Sequence, residues 1–447
     1  MRRLRSVPFG RVWRFARRGG RAGRVTWAVA LLLVLGPAGD LLGQPRATDE
    51  QIRYYQGRLT LRPNDVRSYA RLGQAYILKA RETGDPTYYD LADKALSRCL
   101  ELSPDRVTAA RAATDLAVVQ MARHQFREAR ATAQKAVSFG SGELNGYGLI
   151  GDAHIELGEY EQAEAAYERM RGLSGPFYPH SRLSMLKFHK GDPAGAIAEM
   201  RRAVETGIEG NQPKENVAWA QFKLGATLFQ TGDLKGAAQA HQEALATYPG
   251  YHRAQAGLAQ VRAAEGRYSE AIELYRKAIA VIPMPEYAAN LGDVYATSGR
   301  ADEARKQYAL VEYIGLLSAF NKVLYNRELA LFYLDHDMKL GEALDLARKE
   351  LEVRGDVYSH DVLAWALYKN GRAADAVAPM KEALRLDTKD ARLWFHAGMI
   401  HRAVGEPDKA REYLQRALAT NPHFHLLQAE VAQRTLRELE GQPVTRE

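Results

Sequence analysis

One phrase returns through most of this chain and limits what it can fold into. "LGEYEQAEAAY" begins at Leu157, "EGRYSEAIELY" at Glu265, "SGRADEARKQY" at Ser298, "NGRAADAVAPM" at Asn370 and "VGEPDKAREYL" at Val404. Aligned on the central alanine, the copies give Ala92, Ala129, Ala163, Ala196, Ala237, Ala271, Ala304, Ala343, Ala376 and Ala410. The intervals are 37, 34, 33, 41, 34, 33, 39, 33 and 34 residues. A period near 34 carrying two amphipathic segments marks a helix-turn-helix solenoid, whose units bury their apolar faces only against neighbours. At 447 residues the chain is also longer than one compact core usually grows.

Within a unit, each residue type has a mechanical role. Around Ala271, Leu258 and Ala259 lie on a first helix, Gly266 supplies the turn, and Tyr268, Ala271, Tyr275 and Ala278 lie on a second. Their spacing of 3, 4 and 3 keeps the last four on one helical face. Small side chains let two helix backbones approach, and the aromatic rings fill the space beside them. Pro283 then stops the second helix, as do Pro104, Pro249 and Pro422 elsewhere.

These residues resemble the tetratricopeptide repeat (TPR) family over roughly 55 to 423. The first unit carries the pattern as Tyr69, Leu72, Gly73, Tyr76, Ala92, Leu96, Cys99 and Pro104. The tenth carries it as Trp394, Gly398, Ala410, Leu414, Ala417 and Pro422. Units two, four and eight depart from it on their first helices, where Ser184 and Leu331 replace a small residue. The resemblance implies an all-α fold: a right-handed superhelical solenoid of about ten helix-turn-helix repeats with a C-terminal capping helix. The expected division is a linker at 44–55, arrays of about five repeats at 56–249 and 250–423, and a capping helix and tail at 424–447. Three insertions, "ETGDPTYYD", "ETGIEGNQPKENVA" and "ALVEYIGLLSAFNKVLYN", lengthen individual units or junctions.

The net charge of +8 points toward nucleic acid until it is located. Residues 1–43 hold nine arginines and one acid, Asp40, which leaves 53 basic residues facing 53 acidic ones in the remainder. A repeat array with no net excess lacks the basic stripe that phosphate neutralisation requires, so no nucleic-acid partner is expected. The arginine-rich opening runs into the apolar Val25 to Leu35 and then small residues with Pro37, the parts of an export signal. Those 11 apolar residues fall short of the roughly 20 that a spanning helix needs. A cleaved signal is therefore the first reading, with an uncleaved membrane anchor or an organelle transit peptide as alternatives. The array is expected outside the cytoplasm, periplasmic or extracellular, or tethered to the inner membrane by that segment.

The single cysteine, Cys99, excludes an intrachain disulfide, and its place on a second helix reads as a small buried residue. His423 with His425 and His396 with His401 lack further ligands at metal-site spacing, and no phosphate-cradling glycine loop or nucleophile elbow occurs. No catalytic residue, cofactor or metal is expected. The resemblance places ligand contacts on the inner face of the first helices. That register selects Tyr178, Phe188, Trp219, Phe222 and Phe229 as one aromatic patch, and Tyr325, Phe332, Tyr358, Trp365, Tyr368 and Phe395 as a second. Rings of this kind anchor peptides at interfaces. The ninth positions of the first four units, Gln74, Val118, Asp152 and Met185, do not form the cationic clamp that some TPR grooves use for a terminal carboxylate. The expected function is a non-enzymatic scaffold for a protein or peptide partner. An accessory role in an envelope transport or secretion complex, or binding of a carbohydrate or small ligand, are the alternatives.

Overall fold

Nine of the ten register alanines have no exposed surface and the tenth, Ala304, keeps 3%. Each sits where two helices of a hairpin meet. A computed structural model of the protein describes residues 45–83, 85–140, 144–173, 175–320 and 326–441, and among these there are helices and turns but no strand. Helix α1 (Pro45–Leu61) leads into ten helical hairpins. The first five are α2 (Val66–Thr83) with α3 (Thr87–Glu101), α4 (Arg106–Ala122) with α5 (Phe126–Ser138), α6 (Leu144–Glu156) with α7 (Tyr160–Arg171), α8 (Phe177–His189) with α9 (Pro193–Glu209), and α10 (Lys214–Gln230) with α11 (Leu234–Thr247). The second five are α12 (His252–Ala264) with α13 (Tyr268–Val281), α14 (Pro285–Thr297) with α15 (Ala301–Phe320), α16 (Asn326–Asp335) with α17 (Leu340–Val353), α18 (Val357–Lys369) with α19 (Ala373–Ala383), and α20 (Ala391–Ala403) with α21 (Pro407–Thr420). A last helix, α22 (Gln428–Leu439), buries Ala429 and Ala432 against the final hairpin and caps the array.

Close approach within a hairpin depends on glycine on the first helix and bulk on the second. A Cβ added at Gly151 would stand 2.2 Å from the Tyr167 ring, and one at Gly292 would stand 2.3 Å from Tyr308. In unit four the small residue is Ser184, whose hydroxyl donates to the Ala196 carbonyl at 2.7 Å across the same helix pair. That explains how a unit without the glycine keeps the packing. In units two to ten the turn between paired helices enters the left-handed region, at glycine in seven of them, at His124 (φ 55) in unit two, and at Asp337 (φ 53) and Lys339 (φ 42) in unit eight. Those are two of the three units whose sequences depart from the pattern.

Two expectations change. Residues 45–55, read as a linker, belong to α1: Ile52 is buried with Leu72, Tyr76 and Leu96, and the Gln56 amide donates to the Tyr76 hydroxyl at 2.9 Å. Because α1 covers the outer face of the first repeat, it has partners that a repeat pattern does not reveal. The core also continues across 249/250, where Ala244, Tyr251, Ala254 and Leu258 share one cluster. The leader at 1–43 lies outside the described residues. None of the described helices is long and apolar enough to cross a membrane. Cys99 is fully buried, and burial pushes its thiol up to about 11.

The array curves far enough that its later units meet its earlier ones. The turns of units three to five dock on the loops that enter or leave units nine and ten. Gly355 N–H donates to the Glu156 carbonyl at 3.0 Å, and Val357 N–H donates to the Tyr160 hydroxyl at 3.0 Å. One unit on, the Thr388 hydroxyl donates to the His189 carbonyl, and one further on the Asn421 amide donates to the Phe229 carbonyl at 2.7 Å. The partners are 197, 199 and 192 residues apart. Regularity at that separation means that one superhelical turn rests on the next.

Gly158 illustrates the constraint. Its φ of +75° favours glycine, and an added Cβ would also lie 2.1 Å from the Gly355 carbonyl oxygen. Gly266 holds the same turn position with φ +73° and has nothing within 4 Å. Gly266→Ala should therefore lose only the left-handed cost, about 1–2 kcal/mol. Gly158→Ala should lose that plus the seam contact, roughly 1 kcal/mol or more beyond it. Urea unfolding of the two variants measures the difference; equal losses would mean that the turns do not dock.

Candidate functional site

Docking of one superhelical turn on the next encloses space on the inner face. A cavity of 410 Å³ opens between α8, α10 and α12 on one side and the starts of α18 and α20 on the other. Its walls include Met185, Phe188, Lys223, Phe229, Gln260, Tyr358, Asp390, Arg392, Asn421 and Phe424. A second cavity of 340 Å³ shares Phe229 and Gln260 with the first and reaches Asp293 and His425. A third, of 110 Å³, shares Ala226 and Gln260 and reaches Phe222, Arg253 and Glu286. The three follow the inner surface of consecutive first helices.

Several polar groups around this space are held by named partners. Asp390 caps α20 by accepting from Arg392 N–H at 2.9 Å, while its other oxygen accepts from the Tyr358 hydroxyl at 3.2 Å and the Gln230 amide at 3.4 Å. Burial raises its carboxyl above the usual range. Asp335 accepts from the Trp365 indole at 3.1 Å and from Gln428 at 2.7 Å, and pairs with Arg392, which ties α22 to the inner wall. Burial raises the Glu286 carboxyl, with Arg253 opposing. His189 is pushed down to about 4 by burial, so it is neutral at physiological pH. Lys223 is half-buried, and its ammonium lies 5.9 Å from the ring centroids of Trp219 and Phe222.

At the edge of the chamber a charged cluster joins the turns. Arg354 pairs with Glu156 at 2.8 Å and Glu350 at 3.0 Å, and Arg327 pairs with Asp356 at 2.7 Å. Arg354 also lies over the Phe126 ring at 5.1 Å. Glu156 belongs to unit three and Glu350 to unit eight, so Arg354 is the cation shared across the seam.

The two aromatic patches read from sequence are not separate surfaces. Phe188 and Phe229, from the first, line the same cavity as Tyr358, from the second. Phe222 lines the smallest cavity with its ring 5.8 Å from His241. Trp219, at 6% exposure, belongs to the core cluster of units four to six, and Tyr178 is half-buried at its margin with its hydroxyl donating to Gln212. Trp365 stacks on His396 at 4.1 Å and on Tyr368 at 4.9 Å. Phe332 packs against Tyr308 and His336, and Phe395 against Trp365 and Phe424. Trp365, Phe332 and Phe395 are at most 4% exposed, so their rings serve the packing between units. Tyr325 lies outside the described residues.

Lys223, Gln260, Asp390, Arg392 and Asn421 were not selected by sequence. Asp390 and Asn421 sit in loops between units, outside any helix-face register, and face the chamber only because a distant turn rests on them. The paired histidines have other occupations: His396 contacts Asp361 at 2.8 Å, His401 contacts Glu406 at 2.6 Å, and His425 Nδ1 accepts from Leu427 and Gln428 N–H. Among the described residues no group of three or more His, Cys, Asp or Glu converges as a metal site would.

Comparison with known proteins agrees with this architecture. Models described as Tetratricopeptide repeat match residues 144–169, 183–252, 228–291, 285–308 and 362–432. The human protein named "Protein O-mannosyl-transferase TMTC1" is 28% identical over 176 residues, covering 37% of this chain and 19% of that protein's length. The chain thus spans about a fifth of that relative. The crystal structure of yeast Tom70 is 13% identical, covers 88% of this chain and 93% of its own, and superposes with a TM-score of 0.37. That of MamA is 25% identical, covers 38% of this chain and 96% of its own, with a TM-score of 0.32. With ten hairpins in one register and family matches in both halves, the chain belongs to the tetratricopeptide repeat family.

Proposed function

We propose that this protein is a non-enzymatic scaffold that holds a protein or peptide partner on its inner surface, outside the cytoplasm. The observation that carries the reading is the continuity of the inner face. Consecutive first helices present Phe188, Phe229, Gln260 and Asn290 to adjoining cavities, and the described chain is spent on repeats and their caps. A preformed curved surface of this kind limits the ordering cost of binding. Location outside the cytoplasm is supported by the arginine-rich leader and the apolar run that follows it. Mass spectrometry of the native N-terminus tests that part.

Gln260 is exposed on the inner face and Lys277 is exposed on α13. A photo-crosslinking residue at 260 in the full chain should capture a discrete protein in cells, and the same residue at 277 should not. Capture from 277 alone, or from neither site, would remove the inner surface as the place of binding.

A further inference from the structure

The seam joins two edges of the solenoid, and each edge recurs elsewhere without a partner. One edge is the row of hairpin turns, and the other is the row of loops between units. A Cβ added at the turn glycines Gly158, Gly191 and Gly232 would stand 2.1, 2.6 and 2.9 Å from the carbonyl oxygens of Gly355, Asp387 and Thr420, where the chain leaves units eight, nine and ten. Gly299, Gly371 and Gly405 hold the same turn position in units seven, nine and ten, with φ of +76°, +75° and +78°, and have nothing within 4 Å. Helix α22 packs on the last hairpin, yet the turn at Gly405 stays open.

The loop edge shows the same contrast. Leu386, ten residues after Ala376, is half-buried against the Tyr160 cluster of unit three. Leu173 and Val281 follow Ala163 and Ala271 by the same ten residues, and with no earlier turn beneath them they are 53% and 45% exposed. Ile208 and Tyr248, where α9 and α11 end, are also exposed. Single exposed apolar residues are ordinary, but four consecutive units carry one each on the edge that docks elsewhere in the same chain. The early loops and the late turns lie at opposite ends of the superhelix, so they do not meet within one molecule. Charge does not oppose a second copy, since 53 basic residues balance 53 acidic ones from residue 44 onward.

We propose that the protein associates head to tail with copies of itself, the loop edge of units three to six in one copy resting on the turns of units seven to ten in the next. The contact continues the internal seam from one chain to another. It is heterologous, so it propagates as an open spiral instead of closing as a symmetric dimer.

Sedimentation velocity of the full chain tests this. The weight-average mass should rise above the monomer between about 1 and 100 µM. Leu173→Lys with Ile208→Lys removes the apolar loop edge and places cations at helix ends that tolerate them. Gly371→Asn with Gly405→Asn keeps a residue that accepts the left-handed turn and adds a side chain where docking leaves no room. Each double variant should associate tenfold or more weakly with unchanged circular dichroism. Both keep residues 1–43, so association through that segment would survive them. An equimolar mixture of the two should recover association at the parent's concentration and stop at dimers, because each partner retains one intact edge. A photo-crosslinking residue at the exposed Arg372 should join a second copy at the loops of units three to six, a readout that does not depend on the glycine variants folding. The proposal is overturned if the parent stays monomeric to about 100 µM, which would leave the apolar edge to another partner. It is equally overturned if both double variants associate as the parent does, if their mixture gains nothing over either alone, or if Arg372 crosslinks to its own edge. Capture of a different protein from position 260 is unaffected by any of these results, because the edges lie apart from the inner face.

Discussion

Arg354→Ala is expected to lower the free energy of unfolding by about 3 kcal/mol, because it takes the nearest cation from the buried Glu350 and the half-buried Glu156 at once and leaves only Arg327, 3.8 Å from Glu350. Glu156 and Glu350 are already raised by burial, with Arg354 the principal opposing charge. Removing the guanidinium also deletes its contact with the Phe126 ring. The size of the loss separates this site from a surface ion pair, whose deletion costs about 0–1 kcal/mol. A second readout is cooperativity. An ordinary solenoid is held by nearest-neighbour interfaces, so its halves can melt separately. Here the seam joins units three to five to the end of unit eight and to units nine and ten. Trp219 reports on unit five, and Trp365 and Trp394 report on units nine and ten. In the parent protein, urea transitions by tryptophan fluorescence and by far-ultraviolet circular dichroism should coincide. In Arg354→Ala they should separate as well as shift to lower urea. The double variant Arg354→Met with Glu156→Leu should recover part of the loss, since an apolar pair leaves one fewer charge stranded. A loss under 1 kcal/mol with coincident transitions would show that the cluster contributes little.

The seam was the least legible part of the fold, and the reason is physical. Within a repeat, the constraint recurs every 34 residues or so, and it falls on residue types that are distinctive. Alanine at Ala163 or Ala271 is required because two backbones meet there, and both are fully buried. Glycine at the hairpin turn is required by a left-handed φ. Such requirements can be read from spacing. Contacts between superhelical turns join residues 192 to 227 apart, and several use backbone carbonyls on one side, as at Gly158, His189 and Phe229. A carbonyl has no residue type, so half of each contact leaves no trace in sequence. The other half, Arg385, Thr388 and Asn421, consists of ordinary polar loop residues.

The inner surface was legible in part for a related reason. Of the positions picked by the family register, Phe188 on α8, Phe229 on α10 and Tyr358 on α18 line one cavity. Register does not report depth. Trp365 and Phe395 occupy equivalent positions, but His396, Tyr368 and Phe424 cover them. Curvature had closed over those rings, and curvature depends on the accumulated small rotation between units rather than on any one of them.

His241 makes a pH-dependent prediction that follows from the same close packing. The imidazole is 1% exposed, its Nδ1 has no hydrogen-bond partner, and a Cβ at Gly225 or Gly257 would lie 2.6 or 2.4 Å from the ring. Glycine on two successive first helices makes room for it. Burial alone pushes it down to about 4 from its ordinary 6.5. Between those values the unfolded chain binds a proton that the folded chain refuses, so stability rises with pH in that window. The contribution is complete above about pH 6.5 and declines as pH falls toward 4. Between pH 7.5 and 5.0 the loss from this one group is about 2 kcal/mol. His189 and His425, both pushed down to about 4 by burial, act in the same direction. Glu156, Glu286, Glu350 and Asp390, raised by burial, act in the opposite one, as does His336, where burial is outweighed by the Asp293 carboxylate. The isolated term is therefore read as a difference. His241→Leu, which fills the same space without a titrating group, should lose about 2 kcal/mol less than the parent on going from pH 7.5 to 5.0 in urea unfolding. Parallel losses in the two proteins would mean that His241 accepts its proton in the folded state, and that water reaches the space between Gly225 and Gly257.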